Sequence, residues 1–310
     1  KKQGYSVEVV TQFDGYENHI KQEVDDIHNL LISRKGTNPL TDFITLSHLM
    51  IRFFRSKPDI VLLFTIKPVI YGLLASKFFN IPSIPTITGL GTTFIKENIV
   101  TRIIEVLYRI ALSSASLVFF QNNDDIRLFT EQKLIDCNLC RLSPGSGVDL
   151  NAFPESILEP SDNMTFLLIA RMLWDKGIGE YVEAARAIKA KYPNIKFQLL
   201  GPRGVKNRSA IADSKIDEWQ EEGVIDYLGE TDNVAPFIES ACCVVLPSYR
   251  EGMPKAVLEA LSAGIPVVTT NVTGCKDSII NNYNGLLCRP FSHIDLANKI
   301  EKLVLNKSLR

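Results

Sequence analysis

Residues 244–264 read Val244-Val245-Leu246-Pro247-Ser248-Tyr249-Arg250-Glu251-Gly252-Met253-Pro254-Lys255-Ala256-Val257-Leu258-Glu259-Ala260-Leu261-Ser262-Ala263-Gly264. The opening apolar run is too short for a helix. A polar loop with one glycine follows, and then a helical segment with Pro254 at its first position and Gly264 as its C-terminal cap. A short strand that is apolar at every position is buried on both faces, as in a parallel sheet covered by helices. The same grammar recurs outward from this stretch. Strands are predicted at 166–170, 196–200, 224–228, 267–270 and 285–287 in the second half, and at 5–11, 27–32, 60–64, 83–87 and 117–121 in the first. Helix-length segments separate them, in the first half at 41–55, 68–79, 99–113 and 124–133. The class is therefore α/β.

At 310 residues the chain is long enough for two domains, and no internal repeat or low-complexity tract argues otherwise. The stretch Leu142-Ser143-Pro144-Gly145-Ser146-Gly147-Val148-Asp149 interrupts the periodicity as a hinge would, so the domains are expected at 1–147 and 148–310. The chain is 45% hydrophobic and 22% charged, and its net charge of −1 gives no general pull toward nucleic acid. Any anion site must be local. No apolar run approaches the ~20 residues of a membrane span. The six cysteines are scattered through apolar stretches, which fits reduced thiols in a cytoplasmic protein. Cys137 and Cys140 have CxxC spacing, but there is no second pair and there are only four histidines, so neither a zinc site nor a cofactor is expected. Lys1-Lys2-Gln3-Gly4-Tyr5 reads as the last turn of a helix capped by Gly4, with a strand and helix expected before it.

Ligands of doubly wound sheets sit beyond the carboxyl ends of the strands, so the loops leaving the strands carry the chemistry. Strand 166–170 runs into Arg171-Met172-Leu173-Trp174-Asp175-Lys176-Gly177 and then a helix with apolar positions Ile178, Val182, Ala185 and Ile188. A lysine at a helix N-terminus is disfavoured by the macrodipole unless an anion is present, so Arg171 and Lys176 are candidates to pinch a diphosphate. The plain alternative is two solvated basic residues in a turn. In the loop after 244–247, the amides from Gly252 to Lys255 form an anion site, Gly252 allows close approach, and Glu251 is placed to accept from sugar hydroxyls. Glu259 is a candidate acceptor for ribose hydroxyls, or else the i,i+4 partner of Lys255.

These elements resemble the donor domain of the large family 4 of retaining glycosyltransferases. The matching residues are Arg171 with Lys176-Gly177, the pair Glu251 and Glu259 spaced around Gly252-Met253-Pro254, strand 267–270, Gly274 and Asn284-Gly285-Leu286-Leu287. They span the C-terminal half in order. The resemblance implies a GT-B fold, two Rossmann-like domains facing across a cleft. It implies that Arg171 and Lys176 bind the donor diphosphate, that Glu251, Gly252, Met253 and Pro254 hold the transferred sugar, and that Glu259 holds the ribose. In the first half Thr86-Ile87-Thr88-Gly89-Leu90-Gly91 is similar to the loop of members acting on lipid-linked sugars, which makes Gly89 and Gly91 substrate-binding candidates. Many relatives carry a histidine near Thr88 that this sequence lacks. The family's first glycine-rich loop and its long final helices are likewise expected outside this stretch of chain.

By the same resemblance the enzyme is a hexosyltransferase-type, retaining and metal-independent glycosyltransferase. Same-face attack lets the leaving diphosphate take the acceptor's proton, and the cations stabilise the departing charge. The implied partners are a UDP-sugar donor and a glycan or polyprenyl-diphosphate-linked sugar acceptor. Asp124-Asp125 opens a helix and reads as its N-terminal charge pair, not as a metal motif. A nucleotide-sugar epimerase and a non-catalytic sugar-binding protein share the two-lobed architecture. A nicotinamide dehydrogenase would need G-x-G-x-x-G opening a helix, and the sequence has none. Finally, residues 94–112 carry more apolar positions than one core stripe needs, interspersed with Lys96, Arg102 and Arg109. They suit a helix wedged between neighbours, or one resting on the inner face of the plasma membrane.

Overall fold

The computed structural model describes residues 3–13, 15, 17–32, 38–91, 99–155 and 164–310. Lys1, Lys2 and the 94–98 part of the amphipathic segment, Lys96 included, lie outside the described residues. The first half runs β1 (Glu8–Thr11), α1 (Glu17–Glu23), β2 (Asp26–Asn29), α2 (Pro39–Ser56), β3 (Val61–Phe64), α3 (Ile66–Phe79), β4 (Ser83–Ile87), α4 (Ile99–Leu112), β5 (Val118–Phe120), α5 (Asn123–Glu131) and β6 (Cys140–Leu142). The second runs β7 (Thr165–Ile169), α6 (Ile178–Lys189), β8 (Lys196–Leu200), α7 (Asp213–Glu221), β9 (Asp226–Tyr227), α8 (Ala235–Glu239), β10 (Cys243–Leu246), α9 (Lys255–Ser262), β11 (Val267–Thr270), β12 (Gly285–Cys288) and α10 (His293–Leu305).

β1 and β2 pair in parallel as a two-stranded sheet, and a second sheet is ordered β3-β4-β5-β6. The third sheet is ordered β12-β11-β10-β7-β8-β9 and is parallel throughout. The chain divides into two compact units. One comprises 1–86, 98–118 and 133–139, and the other 87–97, 119–132 and 140–310.

In the first unit α2 begins at Asn38, whose side chain accepts from the Leu40 amide, with Pro39 at the first turn. Its Leu49 and Phe53 bury against Ala75 of α3 and Leu30. α1 was not predicted because its seven residues bury nothing, so no apolar period marks it.

In the second unit, alternation along β7 sends Phe166 and Leu168 into one core and Leu167 into the other. Phe197, Tyr181 and Trp219 fill the first, and Val244, Leu246, Val257 and Ala260 the second. All three β7 residues are fully buried, and side chains of this kind contribute about 1.5–3 kcal/mol each. That two-sided burial is why the strand sequences are apolar at every position. Pro254 is not at the first helical position as expected: it is the N-cap of α9, with extended backbone, and Gly264 follows the C-cap with φ +75°.

Candidate active site

The order β12-β11-β10-β7-β8-β9 reverses direction between β7 and β10. Strands laid down after β7 first build outward to β8 and β9, and the chain then returns to β7's other side. The crevice at such a switch point is where doubly wound sheets take their ligands. The two loops that border it are 170–177 and 247–254, the two singled out by their residue types.

Their meeting is specified by backbone. Trp174–Lys176 forms one 3-10 turn, and Gly177 ends it with φ +72°. A Cβ at Gly177 would lie 2.0 Å from the Pro247 carbonyl oxygen, so only glycine allows the first loop to close on the second. The Tyr249 amide and the Ser248 hydroxyl both donate to the Asp175 carbonyl, at 3.0 and 3.1 Å. Lys176 therefore ends the 3-10 turn and directly precedes Gly177, the N-cap of α6, at the N-terminus of that helix. From there its ammonium reaches Glu251 Oε1 at 2.5 Å, with both side chains mostly buried.

A third loop, after β11, brackets Glu251 from behind. The Glu251 amide donates to the Thr273 carbonyl at 3.1 Å, and Gly274 (φ +81°) lies so close that a Cβ there would be 2.3 Å from the Glu251 carbonyl oxygen. Gly252 is equally confined, since its Cβ would meet the Thr88 carbonyl at 2.2 Å and Gln121 Oε1 at 2.4 Å. Gly89, φ +112°, faces the same point: its Cβ would lie 2.8 Å from the Gly252 amide nitrogen. Gly89 and Gly252 are thus brought together by close backbone approach. Gly91, φ +57°, has open space around its Cβ position.

Pro254 caps α9 without a side-chain hydrogen bond, its carbonyl accepting from the Val257 and Leu258 amides, and the Lys255 and Ala256 amides ahead of them lie at the positive end of the helix dipole. Met253 accepts from the Ser278 hydroxyl at 2.8 Å through its sulfur. Glu259 is 6% exposed and takes the ion pair that its spacing permits, with Lys255 Nζ 3.3 Å away. Arg171 is exposed and has no ion-pair partner among the described residues. The structure therefore joins Lys176 to Glu251 and Gly89 to Gly252, while Arg171 and Glu259 stand apart from that pairing.

Neighbouring groups show how polar the region is. Tyr249 donates to both oxygens of Glu180, at 2.8 and 2.9 Å, and burial together with that carboxylate holds its phenol above the ordinary range. Cys275, buried behind Glu251, is pushed up to about 12 mainly by burial, so it stays a thiol. No group of three or more His, Cys, Asp or Glu side chains placed to hold a metal exists among the described residues.

Residues 151–310 match the family described as glycosyl transferases group 1, and residues 1–122 match glycosyl transferase 4-like. The chain belongs to the group 1 glycosyltransferases. A relative from Campylobacter jejuni, N,N'-diacetylbacillosaminyl-diphospho-undecaprenol alpha-1,3-N-acetylgalactosaminyltransferase, is 30% identical over 77% of this chain and 66% of its own length. Among solved structures, a glycosyltransferase from Rickettsia africae has TM-score 0.75 at 19% identity, covering 99% of this chain and 83% of that one. HepE from Anabaena, crystallised in complex with UDP, has TM-score 0.75 at 16% identity, covering 98% of this chain and 91% of that one. These two likenesses are of fold, and the fold is GT-B.

Within this glycosyltransferase fold, sequence reasoning missed the residues that hold Glu251 and Gly252 from the side of α5. Asn122, the N-cap of α5, donates to the Gly252 carbonyl at 3.0 Å, and Asp125 pairs with Arg250. Asp124 pairs with Lys276 at 2.6 Å and accepts from Thr273 at 3.1 Å. The local expectation of a helix-opening acidic pair is met, since both lie in the first turn of α5. Their partners are more than a hundred residues away, and no local signal marks them.

Proposed function

We propose that this chain is a retaining glycosyltransferase that moves a hexosyl unit from a UDP-sugar to a hydroxyl of a polyprenyl-diphosphate-linked sugar, without a metal ion. In this reading residues 148–310 form the donor half and 1–147 the acceptor half. The observation that carries it is the Lys176–Glu251 pair at the β7/β10 switch point, a cation and a carboxylate held together on loops that a nucleotide-sugar would separate. A diphosphate brings more negative charge than one carboxylate, so it draws the Lys176 ammonium and frees Glu251 to accept from the sugar hydroxyls. Arg171, exposed and without an ion-pair partner among the described residues, adds a second cation, and the amides opening α9 add the positive end of a helix. Charge on the departing UDP is then stabilised by fixed groups, and its phosphate oxygen takes the proton of the attacking hydroxyl on the same face. Glu259 binds the ribose, exchanging Lys255 for its hydroxyls. The acceptor class is supported by the name of the Campylobacter relative and by the Gly89-Leu90-Gly91 loop, and UDP by the HepE complex.

The test is transfer from a panel of UDP-, GDP-, ADP- and CMP-sugars to a polyprenyl-diphosphate-linked N-acetylhexosamine, with and without EDTA. The expected result is transfer from a UDP-sugar only, undiminished by EDTA, with the anomeric configuration kept. Transfer that stops in EDTA, or an inverted product, overturns the mechanism, and isomerised donor without transfer replaces it with an epimerase.

We further propose peripheral docking on the cytoplasmic face of the membrane through α4. Thr101, Ile104, Tyr108 and Ala111 bury one side of this helix, while Ile99, Ile103, Val106 and Ile110 lie on the other, between 46% and 70% exposed. Spacings of four, three and four put these four on one stripe, with Arg102 beside it. No helix among the described residues is long and apolar enough to cross a membrane, and a stripe of this kind rests in an interface instead. The protein is expected to co-sediment with vesicles containing anionic lipid, and Arg102→Glu with Arg109→Glu to abolish this without changing UDP affinity. Sedimentation indifferent to lipid charge and to the substitutions would refute docking.

A further inference from the structure

The Glu251-Gly252 turn must keep its place if Glu251 is to meet a sugar hydroxyl. It lies in a loop between a strand and a helix, where backbone is ordinarily free to shift. Here it is held by a polar cluster that the reaction itself does not use. Asn122 is 1% exposed and Asp125 fully buried. The Asn122 side chain accepts from the Asp125 amide at 2.8 Å through its oxygen, and its amide group donates to Asp125 Oδ2 and to the Gly252 carbonyl, each at 3.0 Å. Asp125 in turn pairs with Nη2 of the mostly buried Arg250 guanidinium, whose Nε has no hydrogen-bond partner among the described residues. Burial lifts the Asp125 carboxyl above its usual value even with that guanidinium beside it, a measure of how dry the pair is. Residues 250 and 252, on either side of Glu251, are thus both tied to one helix turn. The same turn holds the loop behind Glu251, because Asp124 takes Lys276 and Thr273, and Thr273 accepts the Glu251 amide. The Lys276 hydrogen bond pulls the Asp124 carboxyl below its ordinary value, so it is ionised for this task.

We propose that Asn122 and Asp125 are positioning residues for the donor loop: through Gly252 and Arg250 they fix where the Glu251 carboxylate stands beside Lys176. This rests on the transferase reading given above. A buried ion pair adds little net stability compared with apolar packing, so the part assigned to this one is to fix the geometry of the loop.

Asp125→Ala would strand a buried guanidinium and risk the fold, so two other variants carry the test. Asn122→Ser keeps a capping oxygen for α5 and lacks the N–H that reaches Gly252. The double variant Asp125→Asn with Arg250→Gln is neutral on both sides and close in shape. In each, hydrogen exchange of the amides of residues 250–253 and 255 is expected to speed up by more than any loss of global stability, followed by thermal unfolding, accounts for. Transfer kcat/KM is expected to fall by about tenfold or more, the cost of ångström-scale misplacement, while UDP affinity stays within about twofold. Unchanged exchange at 250–255 overturns the lock whether or not the protein transfers sugar. Faster exchange with unchanged kcat/KM overturns its positioning role. Equal losses of UDP affinity and turnover also overturn it, showing a general scaffold. A wild-type chain that transfers no sugar overturns the functional reading and the positioning role with it, leaving exchange to judge the lock alone.

Discussion

Replacing Gly252 by alanine will cost sugar transfer at least about a hundredfold while the chain still folds, with a stability loss of about 1–3 kcal/mol. The added methyl would stand 2.2 Å from the Thr88 carbonyl oxygen and 2.4 Å from Gln121 Oε1. Neither neighbour gives way easily. Thr88 is followed by Gly89, whose own Cβ position is already 2.8 Å from the Gly252 nitrogen, and the turn at Gly274 presses from the far side, its Cβ position 2.6 Å from the Gly252 carbonyl oxygen. The loop itself must therefore move, and with it Glu251 and the amides that open α9. A comparison substitution separates local crowding from ordinary glycine effects. Gly223, φ +72° with nothing within 4 Å of its Cβ position, pays only the left-handed backbone cost, about 1–2 kcal/mol, and Gly223→Ala should leave transfer unchanged. Thermal unfolding and kcat/KM on both variants check the claim. Wild-type turnover by Gly252→Ala would show that the loop's position is not set by this contact.

That contact also marks the limit of what sequence makes legible. Strands buried on both faces announce themselves, and the boundaries expected at 83–87, 196–200 and 267–270 coincide with β4, β8 and β11. Expectation and structure diverge where one-sided burial or short length removes the signal. The strand expected from residue 5 begins at Glu8, and Tyr5 is 71% exposed. β6, three residues long, merged into the hinge-like stretch that follows it. At the site, Lys176 and Glu251 were each legible from residue type and loop position. That they touch was not, because it depends on β7 and β10 being neighbours, and strand order is a property of the whole sheet. Gly252 reads as a residue that lets a ligand come close, and Gly89 as a substrate-binding candidate by resemblance. In the fold each also makes room for the other's backbone, a use that a glycine in a sequence does not distinguish from ligand space. The tie from Asn122 and Asp125 to residues 250–252 needs residues 125 to 130 positions apart, visible only once folded.

Lys176→Ala should weaken UDP binding by more than the loss of one contact, and removing Glu251 as well should restore part of it. A single charge-assisted hydrogen bond contributes about 1.5–3 kcal/mol. In the unliganded chain, however, Lys176 also neutralises Glu251, whose side chain is only 14% exposed. Taking the lysine alone leaves that carboxylate beside the place proposed for the diphosphate, where it repels the ligand through a partly buried medium. Taking the glutamate alone has the opposite effect on the nucleotide: Lys176 loses its competitor, so UDP affinity holds or rises. Turnover falls steeply all the same, since the sugar hydroxyls lose their acceptor at the step where charge develops. The double variant Lys176→Ala with Glu251→Ala should then regain more UDP affinity over Lys176→Ala than Glu251→Ala gains over the wild type, and transfer no better than Glu251→Ala, a non-additivity expected of residues in contact or in one network. Calorimetry with UDP on the four proteins of this cycle, alongside initial rates, gives all the terms. Additive losses of UDP affinity would place the two side chains in separate tasks, and unchanged affinity in Lys176→Ala would remove that lysine from the diphosphate altogether.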